Sequence, residues 1–335
     1  MKDIKRWLPG ALVSILLIAA ILYFVDVRAT WNAIRNANYR ILMWSAILSF
    51  IWMFVRAKVW QTLMRDKPRY VDVMFSVSEG YLLNNFLPFR LGELGRAFLL
   101  SRKSGIPFSE ILPTVVIERV VDLVFSAGLL LVGLSFVTES QGSERIGYII
   151  GGVMLVGLVM MYVLARNRQW ALDVFHKLSA RWSVLQRFGG SFLESFLNGL
   201  AVLTDGWLFL RFLFWMTLNW FVALVAYYLI TLSFFPQAEF SWMYFVLGAT
   251  AFGGAVPALP GAIGTFEGAI SAALTLFTKD QSASLAVALT ARLYNYLNST
   301  VLGGIGLSRE GETLAGVYRQ LMNLRSPEYR NQILF

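Results

Sequence analysis

Arg90, Glu93 and Arg96 follow one another at intervals of three through an apolar stretch broken by Pro88 and Gly92. Residues three or four apart share a helix face, so Glu93 and Arg96 can pair. That pairing leaves positive charge in surplus beside a helix end, where free N–H groups also attract anions. Arginine presents a planar fork of donors that fits a phosphate. Asn84 and Asn85 lie just before this break, and Arg292, in the last apolar run, could complete an anion site with Arg90 and Arg96. A second set of charges is Glu118, Arg119 and Asp122, whose two acids are four apart. They read either as ion pairs that neutralise one another or as a group that carries a proton. Glu267 follows a second break, made by Pro260, Gly261 and Gly264, and either pairs with an arginine or titrates. Arg56 and Lys58 are expected to snorkel to the membrane surface.

Other chemistries are excluded. Cysteine is absent and the single histidine, His176, sits in a polar region, where it reads as a surface residue. No metal cluster, phosphate-binding glycine loop or nucleophile elbow is present, so no metal, cofactor or catalytic constellation is expected and the chain does not read as an enzyme. A formal charge of +9 could suggest nucleic acid. Beside apolar runs of this length it reads instead as loops lying against anionic lipid.

What must position these charges is a bilayer-spanning scaffold. Of 335 residues 57% are hydrophobic and 15% charged, against about 25% charged in a soluble domain. Continuous apolar runs cover 10–25, 41–55, 123–137, 146–164, 209–235 and 285–307. Several approach the roughly 20 residues that span a hydrocarbon core. They do not alternate, which excludes a β-barrel, and only helices then satisfy their backbone in lipid. The expected fold is all-α: a polytopic integral membrane protein forming one transmembrane domain over 1–335. Six full spans are expected near 8–25, 41–64, 108–137, 146–164, 207–235 and 282–307. The first, behind Lys2, Lys5 and Arg6 and with no small-residue cleavage site, reads as a retained anchor. Stretches 71–100 and 242–277 are interrupted by proline and glycine. Such breaks persist at membrane depth only where protein or water shields the backbone, so both are expected to be re-entrant pairs. Residues 166–205 carry an interfacial helical pattern and 308–335 an amphipathic cytoplasmic tail.

With a cytoplasmic N-terminus this layout places 17 lysines and arginines inside and 5 outside, as the positive-inside rule requires. The two breaks then enter from opposite sides, the pattern of an inverted-repeat transporter.

The charged breaks also carry a resemblance. Asn85-Phe-Leu-Pro-Phe-Arg90-Leu-Gly92-Glu93-Leu-Gly-Arg96, then Glu118-Arg119-Val-Val-Asp122, then Pro260-Gly261-Ala-Ile-Gly264-Thr-Phe-Glu267 resemble the signature blocks of the flippase-like, or lysylphosphatidylglycerol synthase transmembrane-region, family. The three blocks occur in order, and the resemblance covers essentially the whole chain. It implies a polytopic helical fold. In the bacterial multiple peptide resistance factors such a region translocates an aminoacylated phosphatidylglycerol, and archaeal relatives are linked to lipid-linked glycan assembly. The short tail here leaves no room for an aminoacyl-transferase domain, so synthase activity is not expected.

The expected function is therefore that of a lipid translocase in the inner (plasma) membrane. It would move an anionic phospholipid or a polyprenyl-phosphate-linked lipid, with membrane lipids as partners and envelope or lipid-linked glycan enzymes as neighbours. Glu93 would orient the arginines, and Glu267 or Asp122 would carry a proton. The alternatives are an embedded enzyme acting on a lipid phosphate or lipid-linked sugar, and an envelope-biosynthesis scaffold whose charges are structural.

Overall fold

Each long helix with a described N-terminal cap begins on a residue suited to capping. Asn38 accepts the Ile41 N–H at 3.3 Å, Asp205 that of Leu208 at 3.2 Å, and Asp280 that of Ala283 at 2.9 Å. The computed structural model describes residues 26–87, 91–137, 152, 163, 166–179, 205–255 and 260–323, and these form helices joined by turns. In chain order they are α1 (Val27–Asn36), α2 (Tyr39–Leu63), α3 (Tyr70–Phe86), α4 (Leu91–Ser104), α5 (Phe108–Val137), α6 (Arg168–Ser179), α7 (Gly206–Phe234), α8 (Trp242–Ala255), α9 (Thr265–Thr278), α10 (Gln281–Arg309) and α11 (Leu314–Asn323). A 3₁₀ turn, Pro260–Ala262, precedes α9. No strand occurs among the described residues.

Helices α2, α5 and α7 have the length and apolar composition to cross a membrane. Helix α10 is equally continuous over 29 residues but more polar, because it carries Arg292, Asn295 and Asn298. Its two faces explain why. Leu289, Leu293, Leu297, Val301 and Ile305, each four apart, are exposed, whereas Asn298, Ser299, Gly303 and Gly306 point inward. Apolar residues outside and polar residues inside is the polarity that lipid selects; in water so long an apolar stripe would aggregate. Of the six expected spans, the one at 8–25 and all of 146–164 except residues 152 and 163 lie outside the described residues. The expected loop between the first two spans is instead helical: Asp26 caps α1 by accepting the N–H groups of Arg28 and Ala29 at 2.8 and 3.1 Å. His176 likewise falls within helix α6 rather than a loop. Of the interfacial stretch 166–205, α6 is helical and 180–204 lies outside the described residues.

Both interrupted stretches form two half-length helices, α3 with α4 and α8 with α9, as the proline and glycine pattern predicts. The packing repeats between halves. Each pair is followed by a long helix (α5, α10) that packs on the second half-helix of its own pair and on the first half-helix of the other: α5 on α8, α10 on α3. Helices α2 and α7, which lead into the pairs, pack on each other. Small residues permit these close crossings. A methyl group on Gly133 of α5 would lie 2.6 Å from Cβ of Phe245, and one on Gly248 of α8 2.6 Å from Cβ of Leu130. One apolar core surrounds Trp60, Ile111 and Phe212, a second Met243, Ile270 and Val287, and Trp220 of α7 touches both. The tail forms α11, whose Val317 is buried against Leu82, Leu83, Phe98 and Leu99.

Candidate functional site

Three helices converge their charges beside the first break. Arg56 comes from α2, Glu93 and Arg96 from α4, and Glu118, Arg119 and Asp122 from α5. Arg56 grips Asp122 with both terminal nitrogens, one bond being 2.8 Å, and also contacts Glu118. Arg96 pairs with Glu118 and with Glu93, each at 3.1 Å, and its guanidinium lies 4.6 Å from the centre of the Trp60 ring. Arg119 reaches Glu118 at 3.3 Å, Glu93 at 3.4 Å and Asp122 at 3.5 Å. Glu118 is fully buried and Arg56 and Arg96 are 2% exposed. Burying a charge is tolerable only when it is paired, and here three cations meet three anions. Arg56 does not snorkel. It sits at the centre of this network, because the α2 face that bears it and Trp60 turns inward.

The second break is closed by one arginine. Gly261 and Gly264 have φ of 72° and 88°, a left-handed backbone that glycine adopts without strain. Glu267, the third residue of α9, accepts the Gly264 N–H at 2.8 Å and the Arg292 Nε–H at 2.6 Å. The other guanidinium nitrogens of Arg292 donate to the carbonyls of Gly261 and of Ala262, the latter at 3.0 Å. Phe266 and Tyr296 flank the guanidinium, with ring centres 4.3 and 5.4 Å away.

The two breaks touch. Asn85 donates to the Ser299 hydroxyl of α10 at 2.8 Å. Gly261 lies so close that a methyl group there would sit 3.4 Å from the Asn85 carbonyl and 2.6 Å from the Tyr296 hydroxyl. Asn84 spans the first break by accepting the Gly92 N–H at 2.8 Å. Pro88 and Arg90 lie outside the described residues.

One arrangement occurs twice. Glu93 and Glu267 are each the third residue of the second half-helix, and Arg119 and Arg292 each the twelfth residue of the long helix that follows. In both halves the acid contacts Nε of that arginine.

The profile of the family described as "Lysylphosphatidylglycerol synthase TM region" matches residues 7–303, a span that contains both breaks and both networks. The chain belongs to this family. Curated relatives include a UPF0104 membrane protein of Methanothermobacter thermautotrophicus, 24% identical over 97% of this chain and 100% of its own length. Two UPF0104 membrane proteins of Methanocaldococcus jannaschii are 28% identical over 67% of this chain and 92% of theirs, and 23% identical over 88% and 92%. No solved structure matches. With this kinship and three long apolar helices, the chain is a membrane protein.

Among the family member's own residues, those that sequence reasoning missed are Arg56 as a network member and Glu79. Glu79 is fully buried on α3 and bonded to Lys103 at 2.8 Å. The available signal was an acid amid Val77, Ser78 and Gly80 in an apolar half-helix, where a charge needs a reason.

Proposed function

We propose that this protein moves an anionic lipid, a phospholipid or a polyprenyl-phosphate-linked lipid, between the leaflets of the plasma membrane, with its N-terminus in the cytoplasm. The observation that carries this reading is the duplicated Glu–Arg closure of two broken helix pairs that touch. Paired broken helices related by an internal repeat are how secondary transporters build a site near the bilayer midplane, and the crossed packing of α5 on α8 and α10 on α3 supports such a repeat, inverted between the halves.

In this reading the lipid phosphate docks at the first break. Arg90 and Arg96 bind it, with Asn84 and Asn85 alongside and Arg292 completing the site from α10. Arg96 already holds Glu93 and Glu118, so a phosphate would exchange with a carboxylate rather than fill a vacant pocket. The exchange keeps the buried cation paired and makes opening of the network conditional on lipid. Glu93 then orients the arginines, and the enzymes of envelope or lipid-linked glycan assembly would supply or consume the lipid.

The test is reconstitution. Proteoliposomes carrying fluorescent phosphatidylglycerol, or undecaprenyl phosphate with a headgroup-accessibility probe, should show protein-dependent exchange between leaflets. Arg90→Ala should lose it, and Arg96→Lys, which keeps the charge but not the fork, should slow it. Wild-type rates in both variants would refute the assignment.

One observation favours a second reading. The described charges of the first network balance three against three, as purely structural ion pairs would in a scaffold. Under that reading exchanging the members of a pair, Arg56→Glu with Glu118→Arg, restores cellular function that either single change removes.

A further inference from the structure

A separate charged group lies where α3, α4 and the end of α10 meet, and the networks at the breaks do not use it. Lys103 of α4 bridges two carboxylates, Glu79 of α3 at 2.8 Å and Glu310 after α10, and also reaches the Ser76 hydroxyl at 3.1 Å. Glu79 is fully buried, Lys103 12% exposed and Glu310 25% exposed. The second oxygen of Glu79, Oε1, is buried without a hydrogen-bond donor. It presses on α10 at Gly306, where a methyl group would come 3.0 Å from the carboxyl carbon. The other charges nearby are accounted for. Arg309 of α10 lies over Phe75 at 4.8 Å, Arg102 of α4 binds Glu312 at 2.6 Å, Arg56 of α2 belongs to the first network, and the Pro260–Ala262 turn brings no charge. Two carboxylates thus share one ammonium, and a buried acid oxygen faces the Cα of Gly306. One added proton makes the group neutral and gives Oε1 the hydrogen that it lacks.

We infer that Glu79, Lys103 and Glu310 form a proton-binding site in which Glu79 takes up and releases the proton that drives lipid movement. This rests on the transport reading above. The proton arrives from water at Glu310, the most exposed member, forms an O–H bond on Glu79, and later leaves to water as the carboxylate returns. Position supplies the coupling. Glu79 lies where two helices that bear on the breaks meet: α3 carries Asn84 and Asn85 in its last turn, and α10 carries Arg292, which closes the second break. Neutralising Glu79 loosens its hold on Lys103 and lets α3 shift against α10.

Two measurements on the full-length purified protein test this. In pH-difference infrared spectra a carboxylic-acid band should titrate, vanish in Glu79→Gln, and persist in Glu110→Gln, which changes an exposed surface pair with Lys67. Its midpoint should fall in Glu310→Gln, where a neighbouring negative charge is lost, and rise in Lys103→Met. In proteoliposomes an imposed proton gradient should accelerate exchange of fluorescent phosphatidylglycerol, and Glu79→Gln should abolish that acceleration. A band retained in Glu79→Gln overturns the proton site. Full acceleration in that variant overturns the coupling. If Glu79→Gln does not fold, unmoved midpoints in the other two variants overturn the site. A band that behaves as expected while the wild type moves no lipid overturns the transport reading, and coupling with it, but leaves proton binding standing.

Discussion

The two breaks solve one problem with different redundancy. At the first, six charges from three helices share partners: Glu118 touches Arg56, Arg96 and Arg119, and Arg119 touches three acids. At the second, Arg292 alone binds one carboxylate and two carbonyls. A network with several members can lose one and re-pair, whereas a single clasp cannot. Under the proposed function the first break is therefore the one that would exchange a carboxylate for a phosphate, and the second the one that holds the fold around it.

The sharpest way to break this comparison is Arg292→Ala. It strands Glu267, which is 7% exposed, and frees the carbonyl of Gly261, while that of Ala262 keeps only the Thr265 hydroxyl at 3.1 Å. Removing one partner of a buried ion pair costs about 3–5 kcal/mol. The expected outcome is a large fall in the thermal unfolding midpoint in detergent, partly recovered when Glu267→Gln removes the stranded charge. A single variant as stable as wild type would show that the clasp does not hold the break.

Arg56→Met tests the redundant side. Glu118 keeps Arg96 and Arg119, and Asp122 keeps Arg119 at 3.5 Å. The expected loss is about 2 kcal/mol, below the range for an isolated buried pair. A double-mutant cycle with Asp122→Asn measures the coupling. If Arg56→Met cost as much as Arg292→Ala, the two breaks would be equally brittle and the contrast would fail.

The breaks were legible in the sequence because proline and glycine cluster there, at Pro88 with Gly92 and at Pro260 with Gly261 and Gly264, and the buried charges because lipid makes them conspicuous. Glu93 could be paired with Arg96, and Glu118 and Asp122 placed on one helix face, from helical spacing alone. Long-range partners could not. Nothing in the spacing says that α2 turns Arg56 toward α5, since that depends on how three helices pack. For the same reason Arg56 read as a snorkelling residue. Arg292 was visible as a charge in a span, but its role of capping the carbonyls of Gly261 and Ala262 depends on a turn some 30 residues away. Glu79 passed unnoticed because its partners, Lys103 and Glu310, come from two other segments. Helix α1 was hidden by its arginines, which favour a loop reading until Asp26 is seen to cap it.

A lower bound for the comparison comes from outside both breaks, in the turn after α2. Asp66 accepts from Lys58 at 3.0 Å and from Arg211 at 2.6 Å, tying α2 to α7. Partial burial pushes its carboxyl upward, but the hydrogen bonds and charges of Lys58 and Arg211 outweigh that and hold it below the ordinary aspartate value of 3.8. An acid held low in the folded state stabilises fully above its unfolded value, and that contribution disappears as pH falls through the lower folded value. Both cationic partners are about one-third exposed, so screening by water keeps the effect below about 1 kcal/mol. Asp66→Asn should therefore lower the unfolding midpoint slightly at neutral pH, by less than either arginine variant. Its deficit should shrink toward zero as pH is taken below 3.8. A deficit at neutral pH matching that of Arg56→Met would mean that the buried network contributes no more than a surface pair, and redundancy would then not be what distinguishes the first break.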